Sequence, residues 1–304
     1  MLKIAIVGAT GVVGETIVRV LKERNFQGEV GLFASRSRDN VLATTHEALQ
    51  PYDAVFFAGS EDASETYAPP VLERGGIVID NSSTYRMQPG VPLVVPEVNA
   101  AAIGAEDRLF PVGNCTAIIL CVALAPVRDI AGLANVQVAT YQAISGAGRA
   151  ALEEFARGEG NVVGNVVPQI GTPDETGATT EERKVREETR KILDLPDLPV
   201  DVTSVRVPVR TAHSEAVFFE TQRDVTLDEL RDAFEKAPGI VFHREGIVTP
   251  REVEGTDLVH VARVRACEGK RRFQMWIVGD QLRKGAATNA VQILERVLAM
   301  RSGS

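Results

Sequence analysis

The sequence predicts an α/β protein of two parts, and three observations carry that reading. Over the first 115 residues, short apolar strand-like runs alternate with helical patterns, as in a doubly wound parallel sheet. A glycine-rich turn, Gly8-Ala9-Thr10-Gly11-Val12-Val13-Gly14, stands between the first such run and the first helical pattern. From residue 116 to 284 longer alternating runs dominate, which suits an inserted α+β domain with a mixed, largely antiparallel sheet. A last helical pattern, 286–300, returns to the first part. The domain limits this implies are 1–115 with 285–304 for the first domain and 116–284 for the second.

Leu2 to Val7 is the first strand, and Glu15 to Arg24 carries apolar residues at helical spacing (Ile17, Val18, Val20, Leu21). Strand, glycine turn and helix open a Rossmann-like dinucleotide-binding domain. The glycines permit the tight turn, the approach of a pyrophosphate and close helix–strand packing. The spacing here is G-x-x-G-x-x-G. A second strand, Glu29 to Ala34, ends where an NAD-binding chain usually places an acid for the ribose hydroxyls; Ser35-Arg36-Ser37-Arg38 stand there instead. Hydroxyls and guanidinium groups suit a 2′-phosphate, so the cofactor expected is NADP. Further strands are expected at 53–58, 76–80 and 109–112, with helices at 63–74 and 99–103. The polar loop after the strand ending at Asp80 carries Arg86, placed for an anion contact or for a plain surface role.

The strand 109–112 delivers Phe110-Pro111-Val112-Gly113-Asn114-Cys115-Thr116-Ala117. A buried helix is expected over 117–125, which puts Cys115 at its start. Unpaired N–H groups and the positive end of the helix dipole favour a thiolate there. The alternative is a small apolar core residue, the reading that suits Cys121 inside the apolar run. Strands follow at 135–143, 200–209 and 216–221, helices at 149–157, 181–193 and 226–237, and paired antiparallel strands at 258–267 and 272–278, with a long loop over 158–177. His213 lies seven residues beyond Arg206.

The net charge of −8 argues against nucleic-acid and membrane-surface roles. Three cysteines form neither a disulfide framework nor a zinc pattern, so no metal is expected and the compartment expected is reducing, the cytoplasm. No signal peptide or membrane span is read in the chain. A thiol, a histidine and a nicotinamide cofactor together suggest aldehyde chemistry through a thioester.

These residues lie in longer motifs: GATGVVG (8–14), DNSSTYRM (80–87), VPLVVPEVN (91–99), the Asn114-Cys115 pair, YQAISGAGRAALEE (141–154), EERK (181–184), RVPVRTAHSE (206–215) and LRKGAATNAVQI (282–293). In this order they resemble the aspartate-β-semialdehyde dehydrogenase family over nearly the whole chain. The resemblance implies NADPH-dependent reduction of L-aspartyl phosphate to L-aspartate β-semialdehyde and phosphate, on the route to lysine (through diaminopimelate), methionine and threonine. It implies Cys115 as nucleophile, His213 as general acid/base and Gln142 as the group orienting the thiohemiacetal. Asn114 belongs to the substrate site, Arg206 to the substrate α-carboxylate, Glu181 to its ammonium, and Arg86 and Lys184 to phosphate. Gly8, Thr10, Gly11, Val12 and Gly14 would hold the cofactor pyrophosphate, and Ser35 with Arg36 or Arg38 the 2′-phosphate. Ser145, Gly146, Lys284 and Gly285 would complete the cofactor site. A homodimer or homotetramer, built on the second domain's sheet, is implied as well.

Two departures from the family pattern stand out. Gly113 takes the place of a proline, and the region 38–52 is short, as though a strand or hairpin were missing. Two other readings remain at this point: an N-acetyl-γ-glutamyl-phosphate reductase, which shares the thiol chemistry, and a catalytically inactive nucleotide-binding homologue.

Overall fold

The computed structural model describes residues 1–302, and the chain divides into two compact units, Met1–Gly113 with Ala286–Ser304, and Asn114–Gly285. In the first unit β1 (Lys3–Val7), β2 (Glu29–Ala34), β3 (Leu42–Ala43), β4 (Ala54–Phe57), β5 (Ile77–Asp80) and β6 (Leu109–Pro111) form one parallel sheet in the order β3-β2-β1-β4-β5-β6. Helices α1 (Val12–Glu23), α2 (His46–Leu49), α3 (Glu61–Glu73) and α4 (Pro96–Asn99) make the connections. Ile4, Ala5 and Ile6 of β1 are wholly buried, because a central parallel strand is covered on both faces. The strand order reverses between β1 and β4, so the crevice for a ligand lies at their carboxyl ends, where the glycine turn sits.

The second unit opens with α5 (Cys115–Ala131), followed by β7 (Leu133–Gln142), α6 (Arg149–Ala156) and α7 (Thr180–Leu193). Then come β8 (Val200–Arg206), β9 (His213–Thr221), α8 (Leu227–Lys236), β10 (Ile240–His243), α9 (Pro250–Val253), β11 (Val259–Ala266) and β12 (Arg272–Gly279). Its sheet is mixed, in the order β10-β11-β12-β9-β7-β8, with the outer pairs parallel and the inner three pairings antiparallel. One face packs against α5, which is apolar nearly all round and flanked by α7 and α8. The other face leaves Phe218 and Ile247 exposed beside a groove of about 400 Å³.

The chain then returns to the first unit as α10 (Thr288–Ser302). Glu295 accepts two 2.7 Å hydrogen bonds from Arg24, the residue that caps the end of α1, and Asn289 Nδ2 donates to the Val94 carbonyl at 3.0 Å.

Several elements differ from the sequence expectation for local reasons. The buried helix starts at Cys115 itself and runs through Pro126 to Ala131; the proline removes one N–H, but apolar packing on every side holds the helix together. Strand β9 begins at His213 rather than Ala216, since Ser214 and Glu215 pair with Val278 and Ile277 of β12. A five-residue π turn, Arg283–Ala287, precedes α10 and delays it to Thr288. The stretch 99–103 holds the last residue of α4 and a 3₁₀ turn, Ala100–Ala102. The short region 38–52 keeps a two-residue strand, β3, and one helical turn, α2, capped by Thr45. Strand β10, whose four residues show no alternation, was not foreseen.

Candidate active site

Asn114 is the residue on which the second unit's site is built. Its Oδ1 accepts from the N–H groups of Thr116 and Ala117 at 2.9 and 3.2 Å, capping α5 and fixing the first turn that carries Cys115. Its own N–H donates to the buried carboxylate of Glu188 on α7. Its Nδ2 donates to Glu181 Oε1 at 3.0 Å. A capping box between Thr179 and Glu182 starts α7 immediately before Glu181, so a local signal in the sequence sets where that carboxylate stands.

Gln142, the last residue of β7, donates through Nε2 to the same Glu181 Oε1 at 3.0 Å, while its Oε1 accepts from Thr140 Oγ1. Beyond it the segment 143–145 is laddered to 209–210: Val207 N–H reaches the Gln142 carbonyl, Ile144 N–H the Val209 carbonyl and Ser145 N–H the Arg210 carbonyl. Ala143 lies within this ladder. Its carbonyl accepts from Arg206 Nη1 at 2.7 Å and its N–H donates to His213 Nδ1 at 3.0 Å. The other ring nitrogen, His213 Nε2, lies 3.5 Å from Cys115 Sγ. Ala212, just before His213, has a left-handed φ of 67°, and its N–H is held by Gln281 Oε1 at 2.9 Å. Gln281 Nε2 also donates to Ser145 Oγ, so one side chain braces both sides of the site. Gly285 backs the thiol closely enough that a Cβ on it would come within 2.8 Å of the Cys115 Cβ.

Burial and charge act on this cluster together. Complete burial, and then the positive charge of Arg206, hold His213 well below its ordinary pKa, so the ring is neutral. Burial lowers the pKa of Arg206 too, against the raising influence of Cys115 and Glu181. Glu215, on the same face of β9 as His213, is wholly buried, and neither carboxylate oxygen has a hydrogen-bond partner among the described residues. Burial pushes its pKa well up. Cys121 is wholly buried and its thiol is pushed up by burial, which is the behaviour of a structural cysteine.

In the first unit the glycine turn fits a dinucleotide. Gly8 has φ +83°, and a Cβ on it would lie 2.8 Å from the Ala58 carbonyl; one on Gly14 would lie 2.3 Å from the Gly8 oxygen. Gly11 caps α1 without a side-chain hydrogen bond, so backbone N–H groups line the turn. Thr10 and Val12 belong to the same turn and are half-buried. Ser35, Arg36 and Arg38 stand exposed just after β2. Asp80 accepts from Ser64 Oγ and from Ser82 N–H and Oγ, which orders the loop after β5, and Arg86 is buried there with Nε on the Ser82 carbonyl and Nη2 on the Asn81 carbonyl.

The structure thus gathers Asn114, Cys115, Gln142, Glu181, Arg206 and His213, with Gly146 against the His213 ring and Gly285 behind the thiol. Lys184 lies one turn beyond Glu181, half-buried. The Lys284 side chain is fully buried, so what this pair presents to the thiol is the Gly285 backbone. Glu188 was not among the site residues expected from the sequence, being one of many charged residues on α7. Its spacing of seven from Glu181 and its apolar neighbours Val185 and Ile192 were the available signal. Ala143, which acts through its backbone, leaves no such signal. No cluster of metal-ligating side chains occurs among the described residues.

Comparison with known proteins gives a consistent result. Residues 3–106 match the semialdehyde dehydrogenase NAD binding domain, and residues 124–284 match the semialdehyde dehydrogenase dimerisation domain. The chain is 39% identical to the aspartate-semialdehyde dehydrogenase of Aquifex aeolicus, with 96% of this chain and 97% of that protein covered. It is 34% identical to that of Bacillus subtilis, with 97% and 96% covered. Its structure resembles that of aspartate semialdehyde dehydrogenase II from Vibrio cholerae complexed with ASA, with a TM-score of 0.93, 37% identity and 98% of each chain covered. The chain belongs to the aspartate-semialdehyde dehydrogenase family.

Proposed function

We propose that the chain interconverts L-aspartyl phosphate and L-aspartate β-semialdehyde, using NADP(H), through a thioester on Cys115. The observation that carries this is the Cys115 thiol at the capped start of α5, 3.5 Å from His213 Nε2, in the hydrogen-bonded cluster that holds Asn114, Gln142, Glu181 and Arg206. The Cys115 thiolate attacks the acyl carbon, and the carbonyl electron pair moves onto oxygen. Its return breaks the bond to phosphate and leaves the thioester. NADPH held on the turn 8–14 supplies hydride when bound. When the thiohemiacetal alkoxide collapses, the C–S bond breaks and Cys115 leaves as thiolate.

Arg206 suits the α-carboxylate as a planar double donor. Glu181 uses Oε1 for the Asn114 and Gln142 amides, and its Oε2 suits the substrate ammonium. Arg86 and Lys184 serve phosphate. Ser35, Arg36 and Arg38 serve the 2′-phosphate of NADP, a role supported by guanidinium groups where an acid would favour NAD. The test is reduction of NADP by L-aspartate β-semialdehyde with and without phosphate. Phosphate-dependent turnover is expected; turnover of N-acetylglutamate semialdehyde alone would overturn the substrate assignment.

The functional form on this reading is a homodimer, or a dimer of such dimers, in the cytoplasm. The groove bounded by Phe218, Ile247 and Trp276, with Arg263, Arg265 and Gln274, supports a second copy as its occupant. So does the dimerisation-domain match over residues 124–284. A monomeric mass in sedimentation at micromolar concentration would contradict it.

A further inference from the structure

The nucleophile and its partners stand on different elements. Cys115 opens α5, whereas Gln142 ends β7, Arg206 ends β8 and His213 begins β9. The 3.5 Å between Cys115 Sγ and His213 Nε2 therefore depends on what fixes the start of α5 to the sheet. The cap by Asn114 Oδ1 orders the first turn internally but does not locate it. Its location comes from α7. Two carboxylates of that helix, seven residues or about two turns apart, grip Asn114: Glu181 takes the side-chain amide and Glu188 the main-chain N–H. The two grips differ. Glu181 is half-buried and, on the reading above, also serves the substrate ammonium. Glu188 is only 1% exposed. Helix α7 is itself tied to β8 and the residues leading into it. Ser204 N–H donates to Glu182 Oε1 at 3.0 Å, Arg186 Nε to the Val200 carbonyl at 3.2 Å and Arg190 Nε to the Leu198 carbonyl at 2.7 Å. On the other side of Asn114, Gly113 has no side chain to restrict the backbone.

We propose that Glu188 is a positioning residue: by accepting the Asn114 N–H it sets where the first turn of α5, and so Cys115 Sγ, stands relative to His213. Position passes from the sheet to α7, from Glu188 to the Asn114 main chain, and from there to the adjoining Cys115. For its effect on turnover the proposal rests on the thioester reading above. Without an acceptor at 188 a buried N–H is left unsatisfied, and the chain relieves that cost by shifting. The shift moves the thiol off its line to the His213 ring. It also turns the N–H groups that open α5 away from the position where they favour a thiolate.

The test compares Glu188→Met, which fills the space without an oxygen acceptor, with Glu188→Gln, which keeps one. Glu188→Met should lose about 10²-fold in kcat, with KM for the semialdehyde and for NADP within about threefold of native. Glu188→Gln should return kcat to within about tenfold of native. Urea unfolding checks that each variant is folded in the assay. A lowered midpoint with native kcat in Glu188→Met would make the role structural and overturn the proposal, as would failure of that variant to fold while Glu188→Gln folds. Equal losses of kcat in both would assign the effect to charge rather than to the held N–H, and would also overturn it. A second measurement needs no substrate: alkylation of Cys115 by iodoacetamide, followed by peptide mass analysis across pH. The pH of half-maximal rate should rise by about half a unit in Glu188→Met and stay near native in Glu188→Gln. No rise in Glu188→Met would mean that the turn has not moved. If the native chain does not turn over the semialdehyde, the functional reading falls, and alkylation still decides whether Glu188 sets the thiol.

Discussion

Asn114 and Glu181 are joined by a 3.0 Å hydrogen bond from Nδ2 to Oε1, and the same asparagine caps the helix that begins with Cys115. A carboxylate suited to the substrate is therefore connected to the aim of the nucleophile through one side chain. Glu181→Gln keeps an acceptor for the two amides and removes the charge. It should raise KM for the semialdehyde about tenfold or more, with kcat little changed. Glu181→Ala should lower kcat as well, because Asn114 and Gln142 both lose their anchor. Steady-state kinetics on the pair separates the two effects. Asn114→Ala should cost about 1 kcal/mol in urea unfolding as the cap is lost.

Glu215 predicts a pH effect on stability. Its folded pKa is raised above the ordinary 4.5 by burial, so the folded state holds the proton more tightly than the unfolded chain. The stability this contributes is fully present below about pH 4.5 and is lost as pH rises toward the folded value. His213, with a depressed folded pKa, has the opposite slope, losing stability as pH falls below its ordinary 6.5. The difference between native and variant isolates Glu215. Urea midpoints of Glu215→Gln should fall less between about pH 5 and about pH 8 than those of the native chain.

Gly285→Ala would bring a methyl group to 2.8 Å from the Cys115 Cβ, a contact that has to push the thiol aside. A displacement near 1 Å costs about 10²-fold in a positioned reaction. The variant should fold, bind NADP and lose about that factor in kcat; unchanged kcat would mean that the turn yields instead.

Arg36 and Arg38 stand exposed after β2, where the sequence offers guanidinium groups. Replacing both with alanine should raise KM for NADP about tenfold or more and leave KM for NAD nearly unchanged. Equal changes would mean that neither arginine reads the 2′-phosphate.

Most of the fold was legible because its signals are local. The glycine turn between β1 and α1 and the alternating run of β7 both act within a few neighbours. Elements that depend on distant pairing were harder. Strand β10 exists because β11 lies beside it, and β9 extends to His213 because β12 supplies partners for Ser214 and Glu215. The site divides in the same way. Cys115, His213, Arg206 and Glu181 lie in motifs, whereas Ala143 acts only through its backbone, and Glu188 looks like any charged residue on α7 until its carboxylate meets the Asn114 N–H.

The central claim is the thioester on Cys115, and it can be observed directly. Native chain mixed with L-aspartate β-semialdehyde and NADP, without phosphate, then quenched in acid, should show a stoichiometric burst of NADPH. Peptide mass analysis should find an aspartyl adduct on the peptide carrying Cys115, and added phosphate should discharge it. Phosphate-dependent turnover with no adduct, or an adduct on Cys121 or Cys267 instead, would contradict the account.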